Sequence, residues 1–280
     1  MKVVLAGAFG NLGTDILKAL VGAGHQVVAA DMAVKKIEGV DCDARTIDVT
    51  QPQTLRGLCD GADVVITTVG LTRTSATVTN YDIDYQGNLN LLEEAQRAGV
   101  KHFTYISVIQ ADSDPKVPML HAKALFEQKL KASGLTWVIH RPTGYFYDIA
   151  KVFMPMIEKG EVTLLGKQDA HANVIDTPDF AQFIVAHMLD ENKTYNVGGR
   201  ETYSYEEIAR MFFAAAQKPV VIKRAPVFLF DVLALVNRYK KNGKEAIIRF
   251  SKWTLTHELV GEDVWGEHSF REYIERCYQK

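Results

Sequence analysis

Three glycines at positions 7, 10 and 13 lie where an apolar run, Met1–Ala6, passes into a segment of helical periodicity. The chemistry that such a pattern serves is the binding of a pyrophosphate by backbone. Gly7 permits a tight strand-to-helix turn, Gly10 removes a side chain where a phosphate must approach the main chain, and Gly13 lets the helix pack closely on the strand. The N–H groups of the first helical turn then face the anion. A bare glycine pattern also marks ordinary tight turns. Here Leu12, Ile16, Leu17, Leu20 and Val21 recur at helical spacing over Asn11–Val21, and the segment closes with Gly22-Ala23-Gly24. The strand and the helix that dinucleotide binding needs are therefore both in place. Phe9, Asn11 and Leu12 stand among these glycines and complete the candidate loop.

Asp31 ends the second apolar run, eighteen positions after Gly13, close to the spacing of about 20 expected of a ribose-binding acid. A carboxylate there accepts from ribose hydroxyls and repels a 2′-phosphate, which favours NAD. Lys35 and Lys36 follow closely and offer the opposite, a phosphate site, so NADP stays open. Asp48-Val49 falls where the adenine edge would lie, and Asp48 also suits a capping carboxylate before Thr50-Gln51-Pro52.

These residues need an alternating scaffold to position them, and the pattern supplies one. Strands are expected at Lys2–Ala6, Gln26–Ala30, Ala44–Ile47, Asp63–Val69, His102–Ser107 and Thr136–His140. Helices are expected around Asn11–Val21, Pro52–Leu58, Asp84–Ala98 and Leu120–Ser133. Apolar strands separated by amphipathic helices imply an α/β Rossmann fold, a doubly wound parallel sheet covered on both faces, with the ligand along the edge formed by strand C-termini. Beyond residue 142 the alternation loosens. The expected division is a dinucleotide-binding domain of residues 1–141 plus about 174–198, and a smaller substrate lobe of about 142–173 and 199–280.

The 280 residues are 47% hydrophobic with a formal net charge of -2. That length buries a substantial core, and the absence of a basic run argues against a nucleic-acid partner. Cys42, Cys59 and Cys277 are too scattered for a zinc or disulfide pattern, and the chain opens directly on a strand rather than a leader, so a cytoplasmic setting and no metal are expected. No apolar run approaches the roughly 20 residues of a membrane span, which leaves only peripheral membrane contact open. The residues imply no particular oligomeric state.

Further segments occur in a familiar order. They are Gly7-x-x-Gly10-x-x-Gly13, Asp48-Val49, Val69-Gly70, the helix Asn88–Ala98, Val100–Ser107, Lys123-x3-Glu127, Ser133-Gly134-Leu135 and Arg141-Pro142. Val174–Ala181 and Tyr195–Gly199 extend the series. With these the chain resembles the extended and atypical short-chain dehydrogenase/reductases over nearly its whole length. Within them it looks most like the group holding NmrA-like proteins, divinyl chlorophyllide reductase and the Rossmann subunit of respiratory complex I. The resemblance implies cofactor contacts at Val69, Gly70, Ser107, Lys123 and Pro142, beside those of the glycine loop, Asp31 and Asp48-Val49.

The same resemblance implies a Tyr-x3-Lys helix, in which the tyrosine passes a proton and the lysine binds the nicotinamide ribose. Lys123 fits, but Met119 holds the tyrosine position, and a thioether carries no transferable proton. Val108 holds the family's serine site, with Ser107 one position early. His121 lies two residues from Lys123, on a different face of the helix, and reads as a surface or packing histidine. Tyr145 and Tyr147 follow the Arg141-Pro142 strand end, near where a nicotinamide would emerge, and Tyr145 is the candidate proton donor. Tyr81 and Tyr85, near the fourth-strand crossover, are candidates of the same standing, with packing the competing reading.

Val227–Val236 is an apolar helix followed by Arg238, Lys240, Lys241 and Lys244. Core packing of the smaller lobe is the favoured reading; a wall for a greasy substrate or a contact surface are the alternatives. Trp253 and Trp265 read as packing residues. The expected function is an NAD(P)-dependent oxidoreductase acting on a small apolar enone, alkene or quinone-like acceptor without the usual tyrosine and serine relay. A non-catalytic dinucleotide-binding sensor or assembly subunit is the alternative. A sugar-nucleotide epimerase, which needs the missing tyrosine and serine even more, ranks last.

Overall fold

The computed structural model describes residues 1–71, 75–167 and 169–279. In chain order the elements are β1 (Lys2–Ala6), α1 (Asn11–Gly22), β2 (Gln26–Asp31), β3 (Asp43–Thr46), a 3-10 turn (Pro52–Thr54), β4 (Val64–Thr67), a π-helical segment (Tyr81–Gly87), α2 (Asn88–Arg97), β5 (His102–Ile106), α3 (Pro118–Lys131) and β6 (Thr136–Pro142). Then follow α4 (Phe146–Glu158), β7 (Val162–Leu165), β8 (His171–Ala172), α5 (Thr177–His187), β9 (Lys193–Gly198), β10 (Tyr203–Ser204) and α6 (Tyr205–Ala215). The chain ends with β11 (Ile222–Ala225), α7 (Phe228–Tyr239), α8 (Lys244–Thr254), β12 (Asp263–Val264) and α9 (Phe270–Tyr278).

The chain divides into two compact units, Met1–Arg73 with Thr77–Arg141 and Phe180–Tyr195, and Thr74–Ala76 with Pro142–Asp179 and Asn196–Lys280. In the first, strands run in the order β6-β5-β4-β1-β2-β3, and β9, which begins in this unit, extends the row beyond β6. The paired strands are parallel, with Val3 opposite Val27 on one side and Val64 on the other. Val3, Val4, Leu5, Val64, Val65 and Ile66 are fully buried, as strands covered on both faces must be. β3 is exposed along its whole length, which suits an edge strand carrying the Arg45–Asp43 ion pair. These strands and their helices form the α/β Rossmann sheet that the apolar alternation implies.

The second unit holds the parallel pair β7–β11, the antiparallel pair β8–β10, and β12, which pairs parallel with the end of β9. β12 thus closes an eight-stranded row. Its aromatic core stacks Phe153 on Phe212 at 5.6 Å and sets Phe146 4.7 Å from Phe270. Ser204 and Glu207 form a capping box at the start of α6.

Four local expectations change. Pro52–Leu58 makes only the short 3-10 turn, because Thr54 and Asp48 satisfy each other's groups and Gly57 turns with φ +78°. The Asp84–Ala98 helix starts earlier, as a π segment at Tyr81, because the buried Asn88 amide donates back to Ile83 O and Asp84 O and widens the turn. Trp253 is buried, but Trp265 is 40% exposed. The last change is α7, which does not bury its apolar surface: Phe228, Leu229, Val232, Leu233, Leu235, Val236 and Tyr239 are all exposed. Only a narrow stripe containing Ala234 and Asn237 is packed.

One buried polar residue in the first unit has a consequence for stability. His140, on β6, is fully buried with neither ring nitrogen hydrogen-bonded, stacked on Tyr195 at 5.6 Å and met edge-on by Phe180 and Phe183. Burial, with a smaller push from His187, lowers its pKa from 6.5 to about 3. The unfolded chain therefore binds a proton below pH 6.5 that the folded chain refuses until about pH 3. Stability should be flat with respect to this group above pH 6.5 and fall on acidification by up to about 1.4 kcal/mol per pH unit. Urea unfolding at pH 7.5 and 5.0 should differ by about 2 kcal/mol more in the native chain than in His140→Phe; equal differences would refute the assignment.

Candidate functional site

The three glycines of the loop do different work. Gly7 has φ +80°, and a Cβ on it would lie 2.4 Å from Thr68 Oγ1. A Cβ on Gly13 would lie 1.9 Å from the Gly7 carbonyl oxygen, so α1 packs on the turn with no room for a side chain. At Gly10 the nearest atom to such a Cβ is 3.5 Å away. Gly10 is exposed and extended at the N-cap of α1, with no side-chain cap. The first two glycines are required by the fold; the third keeps open the face where the helix's unpaired N–H groups begin.

The loop is tied to β2. Gly7 N and Ala8 N donate to Ala30 O, Phe9 N donates to Asp31 Oδ2 at 2.9 Å, and Met32 N donates to Asp31 Oδ1 at 2.7 Å. Lys35 Nζ donates to Phe9 O at 3.2 Å. Asp31 therefore holds the loop through Oδ2, while Oδ1 accepts from the next residue at the end of β2. The Phe9 and Leu12 side chains are buried, leaving their backbones to line the loop, whereas Asn11 is exposed.

Asp48 accepts from Thr50 N, Thr50 Oγ1 and Gln51 Nε2. The Thr50 hydroxyl is the main reason its carboxyl sits below the usual range. It is the capping residue of a turn, the second of its two expected roles. Val49 is buried, and its carbonyl accepts from Asn90. At the end of β4, Asn88 ties the region together: it accepts from Thr67 Oγ1 at 2.8 Å and donates to Val69 O at 3.1 Å.

Gly70 lies against the buried ion pair Lys123–Asp84, 3.2 Å apart. A Cβ there would be 2.9 Å from Asp84 Oδ1 and 3.5 Å from Lys123 Nζ. Asp84 also accepts from Leu71 N and Asn80 Nδ2. Lys123 Nζ donates to Ile106 O at 3.3 Å and to the Tyr105 hydroxyl at 3.4 Å. Tyr105 is fully buried, and burial pushes its hydroxyl well above the ordinary pKa. The π segment and β5 thus converge on one ammonium carried by α3. Ser107 donates to Glu127 Oε1 at 2.6 Å, and Arg141 grips both oxygens of the same carboxylate at 2.9 and 2.6 Å. The expected cofactor hydroxyl of Ser107 is thereby engaged in a buried network.

His121 is more than a surface residue: its Nδ1 is 3.0 Å from the Tyr81 hydroxyl, ring edge to ring face. Tyr81 is 38% exposed. This pair joins the π segment to α3, the two elements that also carry Asp84 and Lys123. In the second unit, Tyr145 caps α4, stacks on Tyr147 at 5.6 Å and bridges to Ile175; burial raises its pKa well above 10. Pro142 is buried at the end of β6. Asp84, Asn88 and Tyr105 were absent from the sequence-derived site, since no local spacing links them to Lys123; Glu127, noted only in the Lys123-x3-Glu127 spacing, enters through Ser107 and Arg141.

The open Gly10 face, the anionic Asp31 and the closely packed Gly13 fit a dinucleotide. Gly13→Ala should abolish its binding and cost about 1–3 kcal/mol from the backbone clash. Gly22→Ala, with nothing within 4 Å of its added methyl, should retain binding and gain up to about 1 kcal/mol. Titration of NADH fluorescence and thermal unfolding of both variants check this; normal binding by Gly13→Ala would refute it.

Residues 7–191 match the model of a family described as NAD(P)H-binding. The chain is 27% identical over 246 residues to the photosystem II assembly factor Ycf39 of Synechocystis, covering 85% of this chain and 75% of that protein. It is 25% identical over 264 residues to the chloroplastic divinyl chlorophyllide a 8-vinyl-reductase of Arabidopsis thaliana, covering 82% and 61%. Among solved structures, Citrobacter triphenylmethane reductase superposes with a TM-score of 0.79 over the whole of both chains at 19% identity. The chain belongs to the NAD(P)H-binding family, on a Rossmann fold.

Proposed function

We propose that the chain is an NAD(P)H-dependent reductase of a small apolar enone, alkene or quinone-like acceptor, working without the family's Tyr-x3-Lys relay. The observation that carries this reading is the exposed Tyr81–His121 pair at 3.0 Å, on the two elements that hold Lys123. It offers a transferable proton where Met119 and Val108 offer none. The cofactor, when bound, supplies the hydride. The residues that would hold it are Gly7, Gly10 and Gly13 with the start of α1, Asp31 at the adenosine ribose, and Lys123 at the nicotinamide ribose. Asp84 fixes the Lys123 ammonium and so positions it. Tyr81 would donate the proton that completes reduction, with His121 accepting its hydrogen bond and restoring the proton from solvent. Tyr145 is the second candidate donor, disfavoured by a pKa raised through burial.

Asp31 favours NADH, while the Lys35 ammonium beside Phe9 O offers a counter-charge to a 2′-phosphate. The relatives support the reductase reading through divinyl chlorophyllide reductase, and Ycf39 supports a second one, an assembly protein that binds a dinucleotide without turning it over. Lys123 supports that alternative too, since Asp84, Tyr105 and Ile106 already surround its ammonium.

Titration with NADH and NADPH, followed by turnover against quinone and enone panels, decides between them. The reductase reading expects NADH to bind more tightly and an acceptor to be reduced, with Tyr81→Phe lowering kcat by about 10²-fold or more at unchanged NADH affinity. Lys35→Ala should weaken NADPH more than NADH. Binding without turnover on every acceptor would favour the assembly reading, and full activity in Tyr81→Phe with loss in Tyr145→Phe would move the donor to Tyr145.

A further inference from the structure

α7 is apolar around most of its circumference but buries only one side. At about 100° per residue, the packed positions Phe230, Ala234 and Asn237 fall within one sector. Phe228, Val232, Leu235 and Tyr239, spaced i, i+4, i+7 and i+11, make a ridge about 16 Å long on the opposite side. Leu229, Leu233 and Val236 widen that ridge into a broad exposed face. Phe228 at one end is 60% exposed and Tyr239 at the other 80%. Ile247 of α8, which packs beside α7, adds to the exposed apolar surface. A contiguous face of this kind marks an interaction site in a water-facing protein.

The charges around it identify the occupant. Residues 228–252 carry six basic and two acidic side chains, a net +4 in a chain whose total is -2. Both acids are neutralised locally, Asp231 by Lys252 at 2.7 Å and Glu245 by Arg249 at 2.9 Å. Arg238, Lys240, Lys241 and Lys244 are exposed at the C-terminal end of the ridge, and among the described residues no carboxylate lies within ion-pair distance of them. A second copy would bring +4 against +4. A small apolar substrate calls for a concave site, whereas the outer side of a helix is convex. An aromatic-ended apolar helix face with a cluster of four cations fits an anionic lipid surface, where the face enters the headgroup boundary and the cations meet phosphates.

We propose that α7 docks the protein peripherally on anionic membrane surfaces, its Phe228–Tyr239 ridge inserted and Arg238, Lys240, Lys241 and Lys244 on the lipid phosphates. No helix among the described residues is long and apolar enough to cross a membrane, so the contact is made from one side. The full chain should co-sediment with phosphatidylglycerol-containing phosphatidylcholine vesicles and not with pure phosphatidylcholine. Binding should fall steeply between 0.05 and 0.5 M salt, about the range over which surface charges become screened. Val232→Glu with Leu235→Glu should reduce binding about tenfold or more, as should Lys240→Glu with Lys241→Glu. Because these side chains are exposed, Tm and NADH affinity should stay unchanged, separating lost docking from lost folding. A Phe228→Trp variant should show a blue-shifted emission on anionic vesicles and quenching by brominated lipid.

Equal binding to neutral and anionic vesicles, absence of binding to either, or retention of binding by both double variants would overturn the proposal. So would a dimer in gel filtration that Val232→Glu dissociates, since the face would then belong to a second copy.

Discussion

The burial of the Lys123 ammonium constrains everything around it. A charge taken out of water costs several kcal/mol unless it is paired and hydrogen-bonded. Here the compensation comes from two elements packed against α3, which carries the lysine: Asp84 on the π segment, and the Tyr105 hydroxyl and Ile106 carbonyl on β5. None of these can shift alone without stranding a charge. Gly70 is part of the same constraint, because a methyl group at that position would press on Asp84. The π segment follows from the need to aim Asp84 inward, with Asn88 bonding the carbonyls that the wide turn exposes.

A second buried network lies beside it, Ser107–Glu127–Arg141. Its geometry is bidentate, with the serine hydroxyl as a further donor, the arrangement in which a buried carboxylate is best satisfied. Lys123 and Glu127 are one helical turn apart on α3, so a single face of that helix places both networks against β5. Four positions before Lys123 the helix carries Met119, whose thioether has no proton to pass. The helix's Lys123 and Glu127 hold buried charges, while its His121 meets the Tyr81 hydroxyl.

At the other end of the site, the glycine loop is preorganised by backbone. Asp31 accepts from two main-chain N–H groups, one of them Phe9 N in the loop, so the same carboxylate that shapes the loop also sets its electrostatics. Preorganisation of this kind lets a ligand bind without first ordering the loop.

The sequence by itself determined the strand segments, their parallel sheet, the glycine loop and the candidate lysine. Apolar runs of four to six residues and glycines at fixed offsets are local signals, and local physics suffices to read them. That Met119 cannot pass a proton was equally legible, since a thioether has none to give in any fold. The partners of Lys123 were decided by tertiary structure alone: Asp84 is thirty-nine residues away in sequence, and only the crossover between β4 and β5 brings it close. The pairing of His121 with Tyr81 is of the same kind, which is why helical spacing alone gave the histidine no role. The sequence pattern favoured core packing for α7, and the fold leaves most of it exposed. An apolar stretch of that length has the same periodicity whether a neighbour covers it or not, and in the folded chain only its Phe230–Ala234–Asn237 side finds one.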